Sequence, residues 1–163
     1  MDYTISPITS EDRTAIIDIF NYYVEHSFAA YPQNKLPYEA FDHFMKMCEG
    51  YPAAAVRDPQ QKVVGFGLLR AHNPIDTFSE TAEITYFMDP AHTGKGIGGS
   101  LLSYLEAEGR KKGIRIILAH ISSLNPGSIL FHRKNGFVEC GRFKGVGRKN
   151  GQAFDTIWMQ KML

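Results

Sequence analysis

Cysteine is scarce in this chain. Only Cys48 and Cys140 occur among the 163 residues, and they form no CxxC pair. Two cysteines without the spacing of a disulfide framework indicate a fold that does not depend on disulfides, and reduced thiols are the usual state in cytosol. We therefore expect a cytoplasmic protein, and we assign neither cysteine as a nucleophile.

Long apolar runs are absent as well. No stretch approaches the roughly 18 apolar residues that a membrane-spanning helix needs. The first residues, MDYTISPITSEDRTAI, carry acidic and polar side chains where a signal peptide has basic residues followed by an apolar run. The sequence therefore predicts neither a membrane partner nor export.

Neither sign of charge is in excess. Lys and Arg number 18 and Asp and Glu number 17, which gives a formal net charge of +1. This balance disfavours nucleic-acid binding through a broad basic surface, but it allows a local positive site for an anionic cofactor. The hydrophobic content of 44% is enough for one core, so we expect a single domain over residues 1–163. The six histidines show no metal-ligand spacing, and no metal is expected.

Apolar periodicity and turn residues predict an alternation of helices and strands. The positions Ile16, Ile17, Phe20 and Val24 keep helical spacing after an N-cap at Thr9 or Ser10. Strands are indicated by short apolar runs bounded by turn residues. We predict helices at 11–26, 38–48 and 125–135 and one that follows a glycine-rich turn and ends near Gly113. Strands are predicted at 3–8, 53–57, 63–70, 81–88, 115–121, 138–145 and 153–161.

A glycine-rich segment, HTGKGIGG at 92–99, lies between a predicted strand and a predicted helix. Free backbone N–H groups and the positive end of the helix dipole point outward at such a position, which favours phosphate binding. A plain tight turn is the simplest alternative. However, the four glycines Gly94, Gly96, Gly98 and Gly99 weaken a helix start unless a ligand must come close to the backbone.

A dinucleotide-binding fold is the second alternative, because Gly94, Gly96 and Gly99 satisfy the pattern GxGxxG. That fold requires an acidic residue roughly 20 residues further on, at the end of the next strand. Here the next strand ends with AHIS at 119–122, and too little chain follows for several more βα units. The context therefore argues against a dinucleotide.

The run TAEITYFMDPAHTGKGIGGSLL at 81–102 resembles the central motif of the GNAT superfamily of N-acetyltransferases, commonly written (Gln/Arg)xxGxG(Gly/Ala). Gly96 and Gly98 match its glycines. Thr93 stands where Gln or Arg is usual, which removes one side chain but keeps the backbone amides. The resemblance covers nearly the whole chain, and IFNYYVEHS at 19–27, GYP at 50–52, NPGS at 125–128 and WMQ at 158–160 extend it to the phosphinothricin acetyltransferase-like branch.

This resemblance implies an α/β (α+β) GNAT acyl-CoA N-acyltransferase fold. The sheet would be mixed, mostly antiparallel and six- to seven-stranded, splayed between the strands at 81–88 and 115–121 and flanked by about four helices. Acetyl-CoA would be the co-substrate, with its pantetheine arm in the splay. The implied cofactor-binding residues are Phe87, Met88, Gly94, Lys95, Gly96, Ile97, Gly98, Gly99, Asn125 and Ser128. Asn125 fits a helix N-cap equally well.

The implied chemistry needs a base. An alkyl amine with a pKa of about 10 is protonated at pH 7 and must lose a proton before it attacks a thioester. By resemblance, Glu83 is that base, directly or through water; a solvated strand carboxylate is the alternative, and Glu80 is the second choice. His132 is a catalytic candidate that could act as an acid, contact the cofactor or have a structural role. His120 could line the acceptor site, but a core histidine explains it better.

The implied acceptor is the primary amine of an amino-acid-like small molecule, such as phosphinothricin or methionine sulfone. Phe28, Tyr31 and Phe78 are candidate contacts, although core packing explains each equally well. Only Arg70 lies where such relatives carry an arginine-rich stretch. The alternatives are a GNAT enzyme for another amine (an aminoglycoside, a polyamine or a protein N-terminus), a non-catalytic acyl-CoA sensor and a purely structural interaction domain. Relatives often form homodimers through the C-terminal strands, and nothing in this sequence decides that point.

Overall fold

The computed structural model describes residues 2–163. Its seven strands form one sheet with the order β1-β2-β3-β4-β5-β7-β6. The strands are β1 (Thr4–Pro7), β2 (Ala53–Arg57), β3 (Val63–Ala71), β4 (Thr81–Met88), β5 (Ile116–Ser122), β6 (Val138–Lys149) and β7 (Gln152–Met162). The helices are α1 (Arg13–His26), α2 (Ala40–Met47), α3 (Ile97–Lys111) and α4 (Pro126–Lys134). The predicted fold class is confirmed.

The sheet separates two apolar cores. On one face, α3 contributes Leu101, Leu102 and Leu105, which are all buried at the helical spacing that puts them on one side. On the other face, α1 and α2 pack against β3 through residues that include Ile16 and Phe44. β3 is buried along most of its length because helices cover both of its faces.

The strands β4 and β5 form the parallel pair of this sheet, whereas the other five neighbouring pairs among residues 2–163 are antiparallel. Pairing between β4 and β5 is confined to Thr81–Ile116, Ala82–Ile117 and Glu83–Leu118. Both strands continue beyond these pairs, to Met88 and Ser122. The sheet is therefore splayed at the predicted place.

The last two strands are longer than predicted. The first of them was expected to end at Gly145, but β6 continues through Gly145 and Gly147 to Lys149. A register shift between Phe143 and Gly147 absorbs these glycines as an irregularity within the strand. The hairpin turn uses Asn150 at φ 52° and Gly151 at φ 75°, two residues that tolerate this backbone conformation.

The first helix begins later than predicted, because Ser10–Asp12 forms a 3-10 turn before Arg13. Asp12 is only 3% exposed and joins this turn to β2. Its carboxylate accepts two hydrogen bonds from the Arg57 guanidinium, each at 2.9 Å, and one from the Thr9 amide at 2.9 Å. This bidentate pair holds the start of α1 against the sheet.

Among residues 2–163, no helix combines the length and the apolar character that crossing a bilayer would require.

We expect Asp12→Asn to destabilise the fold by about 3 kcal/mol at pH 7, because it leaves Arg57 without a counter-charge in a mostly buried position. Burial alone would raise the pKa of Asp12, but hydrogen bonds from Arg57 and Thr9 outweigh it and the pKa is lowered. The carboxylate therefore stabilises the fold above pH of about 4, and this stabilisation is lost as the pH falls through the folded pKa. Urea unfolding at pH 7 and pH 3 measures both effects.

The exposed Asp76 provides the control, since Asp76→Asn should change the free energy of unfolding by less than about 0.5 kcal/mol. A difference between wild type and Asp12→Asn that stays constant from pH 7 to pH 3 would contradict the assigned ion pair.

Candidate active site

The gap between β4 and β5 opens into a cavity of about 740 Å³. Its wall is formed by residues from both faces of the sheet, so the cavity passes through the splay. On the α3 and α4 side the wall includes Thr93, Gly94, Gly96, Gly98, Gly99, Asn125, Gly127, Ser128, Phe131 and His132. On the α1 and α2 side it includes Phe20, Tyr23, Tyr31, Phe44, Met47, Arg70 and His120.

The glycine loop lies at one end of this cavity. Gly94 and Gly96 have φ angles of +74° and +79°, which L side chains rarely adopt, and a Cβ at either position would meet no atom within 4 Å. The space in front of them is therefore open. Gly96 is the N-cap of α3, whose first turn carries no acidic side chain to occupy its free N–H groups. This arrangement suits an anion.

Two of the six predicted loop contacts do not line the cavity. Ile97 is 5% exposed and belongs to the core beneath α3. The Lys95 ammonium group donates a hydrogen bond to the Ala91 carbonyl at 3.0 Å. Gly94, Gly96, Gly98 and Gly99 do line it. The backbone of the loop, rather than the lysine side chain, thus faces the cavity.

The main chain of β4 faces the gap at alternate residues. The Asp89 amide donates to Val64 of β3, and the Glu80 carbonyl accepts from residues at the start of β5. By alternation, the backbone groups of Ile84 and Tyr86 point toward β5 and those of Phe87 toward β3. The main chain of Phe87, one of the implied cofactor-binding residues, therefore faces β3 and not the gap, although Phe87 lines the cavity.

Met88 points its main chain toward the gap, but its carbonyl oxygen already accepts a hydrogen bond from the Tyr23 hydroxyl. Beyond the pairing with β5, the backbone groups that face the gap are therefore the Ile84 carbonyl, both groups of Tyr86 and the Met88 N–H.

Asn125 and Ser128 lie together at the start of α4. The Asn125 side chain accepts a hydrogen bond from the Ser128 amide at 3.3 Å and so caps the helix. Both residues also line the cavity. The two alternatives for Asn125, an N-cap and a residue beside the cofactor arm, are thus compatible.

His132 forms a neutral pair with Tyr86. Its Nδ1 lies 2.7 Å from the Ser128 carbonyl, so this nitrogen carries the proton, and its Nε2 accepts from the Tyr86 hydroxyl at 2.6 Å. The ring is 4% exposed. Burial lowers the pKa of His132 and raises the pKa of Tyr86. At neutral pH the histidine is therefore unprotonated and the tyrosine protonated.

Glu83 lies on the opposite face of β4, beside one arginine and two histidines. Its Oε1 accepts from Arg70 Nη2 at 3.0 Å, and its Oε2 lies 2.9 Å from His72 Nδ1. Arg70 also donates to the Thr85 hydroxyl at 3.2 Å. Glu83 is 9% exposed, and among residues 2–163 it is not one of those that line the cavity. Of these two partners, Arg70 lines the cavity and Glu83 does not.

His120 completes this cluster from β5. Its Nε2 lies 3.2 Å from Arg70 Nη2 and 3.5 Å from Glu83 Oε1. Its Nδ1 lies 3.1 Å from the Tyr31 hydroxyl, and the Tyr31 and Trp158 rings pack against it. Unlike Glu83, His120 lines the cavity. It is largely buried, as expected, but it also belongs to the cavity wall.

The three candidate aromatic contacts separate in the structure. Tyr31 lines the cavity, whereas Phe28 and Phe78 are not among the residues of 2–163 that do. Phe28 packs on Phe154, and the exposed Phe78 lies near His72, just after the end of β3. Core packing therefore explains Phe28.

Sequence reasoning missed Tyr86, His72 and Lys149. Arg70 and Glu83 are register partners between β3 and β4, and His72 follows Arg70 by two residues on the same face. The register of that hairpin would have predicted the cluster. No sequence signal points to the contact between Tyr86 and His132, because it joins β4 to a helix 46 residues later.

Lys149 lies at the tip of the β6–β7 hairpin and is 2% exposed. Its ammonium group donates to the carbonyls of Ser27 and Ala30, at 2.7 and 2.8 Å. Nearby, the Asn150 amide donates to the Gln33 side chain at 3.1 Å. These bonds fix the segment after α1 that contributes part of the cavity wall.

A splayed mixed sheet with a glycine loop at one mouth of the gap defines an acyl-CoA-type transferase fold, and the comparisons agree. The model of the acetyltransferase (GNAT) family matches residues 16–137. A methionine sulfoximine/methionine sulfone acetyltransferase from Salmonella typhimurium is 34% identical over 98% of this chain and 94% of its own. The chain belongs to the GNAT family.

Two further relatives agree with this assignment. An L-amino acid N-acyltransferase from Escherichia coli is 31% identical over 93% of this chain and 89% of its own. The structure of a phosphinothricin acetyltransferase from Sinorhizobium meliloti in complex with AcCoA has a TM-score of 0.93 at 30% identity, covering 100% of this chain and 89% of that one. The predicted branch of the family is confirmed.

We expect Lys149→Met to lower the free energy of unfolding by about 2 kcal/mol, because two carbonyls lose a charged donor in a buried position. Urea unfolding gives the value. Lys62→Met, at an exposed lysine in the β2–β3 turn, should cost less than about 0.5 kcal/mol. Equal losses in the two variants would show that the Lys149 bonds do not stabilise the fold.

Proposed function

We propose that this protein transfers an acetyl group from acetyl-CoA to the primary amine of an amino-acid-like small molecule. The observation that carries the proposal is the cavity through the β4–β5 splay, with the glycine loop at one end and the Arg70–Glu83–His120 cluster at the other. Relatives named as acetyltransferases for methionine sulfoximine and phosphinothricin support the acceptor class.

The diphosphate of coenzyme A is proposed to bind the free amides of residues 94–99, beside the N-terminus of α3. The pantetheine arm would then lie in the gap, where the Ile84 carbonyl and the Tyr86 main chain lie beyond the last pair of β4 with β5, Glu83–Leu118. Asn125 and Ser128 would contact the arm from α4.

Attack by the amine places negative charge on the thioester oxygen. A fixed backbone N–H is the group that stabilises such a charge best. The N–H groups of Tyr86 and Met88 face the gap beyond the last pair with β5, so we propose one of them as this donor.

Glu83 is proposed as the carboxylate on which removal of the ammonium proton depends. Because Glu83 bonds Arg70 and is not among the residues that line the cavity, it acts through a water or a group at the wall. Arg70, at the cavity wall, is proposed to bind the carboxylate of an amino-acid acceptor.

His132 is proposed to position Tyr86 rather than to act as an acid. Its pKa is lowered by burial and its Nδ1 proton is held by the Ser128 carbonyl, so it has no labile proton to give at neutral pH. The departing thiolate would instead take a proton from the nitrogen of the tetrahedral intermediate. The products are then the amide, coenzyme A thiol and one proton released to solvent.

We expect Gly96→Ala to weaken the binding of coenzyme A about tenfold. At φ +79° an alanine is strained by about 1 kcal/mol, and relief of this strain would distort the turn that binds the anion. Calorimetry with coenzyme A measures it. Gly113→Ala is the matched control, since Gly113 has φ +85° with equally open space but follows the far end of α3. It should lose similar stability and keep its affinity.

The activity itself is tested by following free thiol release from acetyl-CoA with a panel of amines. We expect turnover with methionine sulfone or phosphinothricin, and Glu83→Gln should lower kcat/KM by about 100-fold or more while acetyl-CoA still binds. Preference for an aminoglycoside, a polyamine or a peptide N-terminus would reassign the acceptor. Binding of acetyl-CoA without turnover of any amine would instead indicate an acyl-CoA sensor.

A further inference from the structure

Glu83, the carboxylate on which deprotonation is proposed to depend, does not line the cavity. Among residues 2–163, the cavity-lining groups on the α1 and α2 side include His120, Arg70 and Tyr31 but not Glu83. Both oxygens of Glu83 are engaged, one by Arg70 and one by His72. A group at the wall is therefore needed to take the proton from the amine.

We propose that His120 is the base that takes this proton, and that Glu83 stabilises the imidazolium that forms. The proposal rests on the proposed acetyl transfer and names the residue that contacts the acceptor amine. Arg70 and His72 are positioning residues, because they hold the Glu83 carboxylate from either side.

The hydrogen bonds around His120 fix which nitrogen is free of a proton. Arg70 Nη2 can only donate, so the His120 Nε2 at 3.2 Å must accept and carries no hydrogen. The Tyr31 hydroxyl donates to the His120 carbonyl at 3.4 Å, which leaves its oxygen to accept from Nδ1–H at 3.1 Å. The ring is thus neutral, and its Nε2 lone pair accepts from Arg70 until Arg70 turns to the acceptor carboxylate and leaves Nε2 to the amine.

The surroundings favour this neutral form before the acceptor binds. Burial lowers the pKa of His120, Glu83 raises it and Arg70 lowers it, with the net effect downward. Burial also raises the pKa of Tyr31 to about 12, so its hydroxyl stays protonated. The remaining neighbour on β7, Trp158, is uncharged. The titratable groups that face His120 are therefore Glu83, Arg70 and Tyr31, with His72 behind Glu83.

One N–H bond of the acceptor ammonium breaks and an Nε2–H bond forms on His120, giving a free amine and an imidazolium. The imidazolium lies 3.5 Å from Glu83 Oε1, which supplies the opposite charge in a largely buried place. After the amide leaves, Nε2 returns its proton to water in the open cavity.

The test is the pH dependence of kcat/KM for His120→Asn, using an amine that the wild type acetylates. If His120 is the base, the wild-type enzyme uses the protonated amine, and its kcat/KM reaches a plateau near neutral pH. The variant depends on the free amine, so its rate should rise about tenfold per pH unit toward the amine pKa of about 10. The deficit should be about 100-fold at pH 7 and vanish near pH 9.

His43→Asn, at an exposed histidine of α2, is the matched control and should keep the wild-type profile. Thermal unfolding and calorimetry with acetyl-CoA establish that the His120→Asn variant is folded and binds the co-substrate. If this variant is not folded, the His120→Gln variant is used in its place. A uniform loss at every pH would indicate a structural role and overturn the proposal. So would a wild-type profile in the variant, because another group would then be the base.

Failure of the proposed function looks different, since the wild type itself would then turn over no amine. In that case this inference falls with it. When the wild type is active, the pH profile of the His120→Asn variant alone decides whether His120 is the base.

Discussion

The pairing of β4 with β5 stops after Glu83 and Leu118, although both strands run on. Backbone groups inside a protein need partners, so a divergence within the sheet is stable only where water or a ligand can supply them. The cavity, the accessible Ile84 carbonyl and Tyr86 main chain, and the position of the glycine loop at the mouth of the gap all depend on this one interruption. An extended thioester arm is the kind of ligand that such a gap can accept as an additional strand.

Alternation along β4 divides the chemistry between the two faces of the sheet. Tyr86 points toward α4, where it meets His132 in a neutral, buried pair. Glu83 and Thr85 point toward α1, where Arg70 adds a fixed positive charge. The neutral pair lies on the side of the glycine loop and the charged cluster on the side of α1, where the acceptor is proposed to bind, so the two ends of the cavity differ in electrostatics.

The sequence predicted the fold well because most of its signals are local. Helical periodicity in α1 and the punctuation by proline and glycine depend on neighbours along the chain, and the strand at 81–88 was predicted with the observed bounds. Errors arose where a local signal was overridden. Gly145 and Gly147 suggest a strand end, yet cross-strand bonding to β7 carries β6 through them. Ile97 belongs to the glycine motif, but the amphipathic face of α3 turns it into the core.

By itself, the amino-acid sequence determined the family, the glycine turn before α3 and the residue types from which a site could be built, because these depend on spacing along one stretch of chain. Tertiary structure alone decided which of those residues meet. Arg70, Glu83 and His120 come from three strands, and Lys149 reaches the segment after α1 from the last hairpin. Contacts of this kind arise from strand order and register, which place distant segments side by side, and no local pattern of residues encodes them.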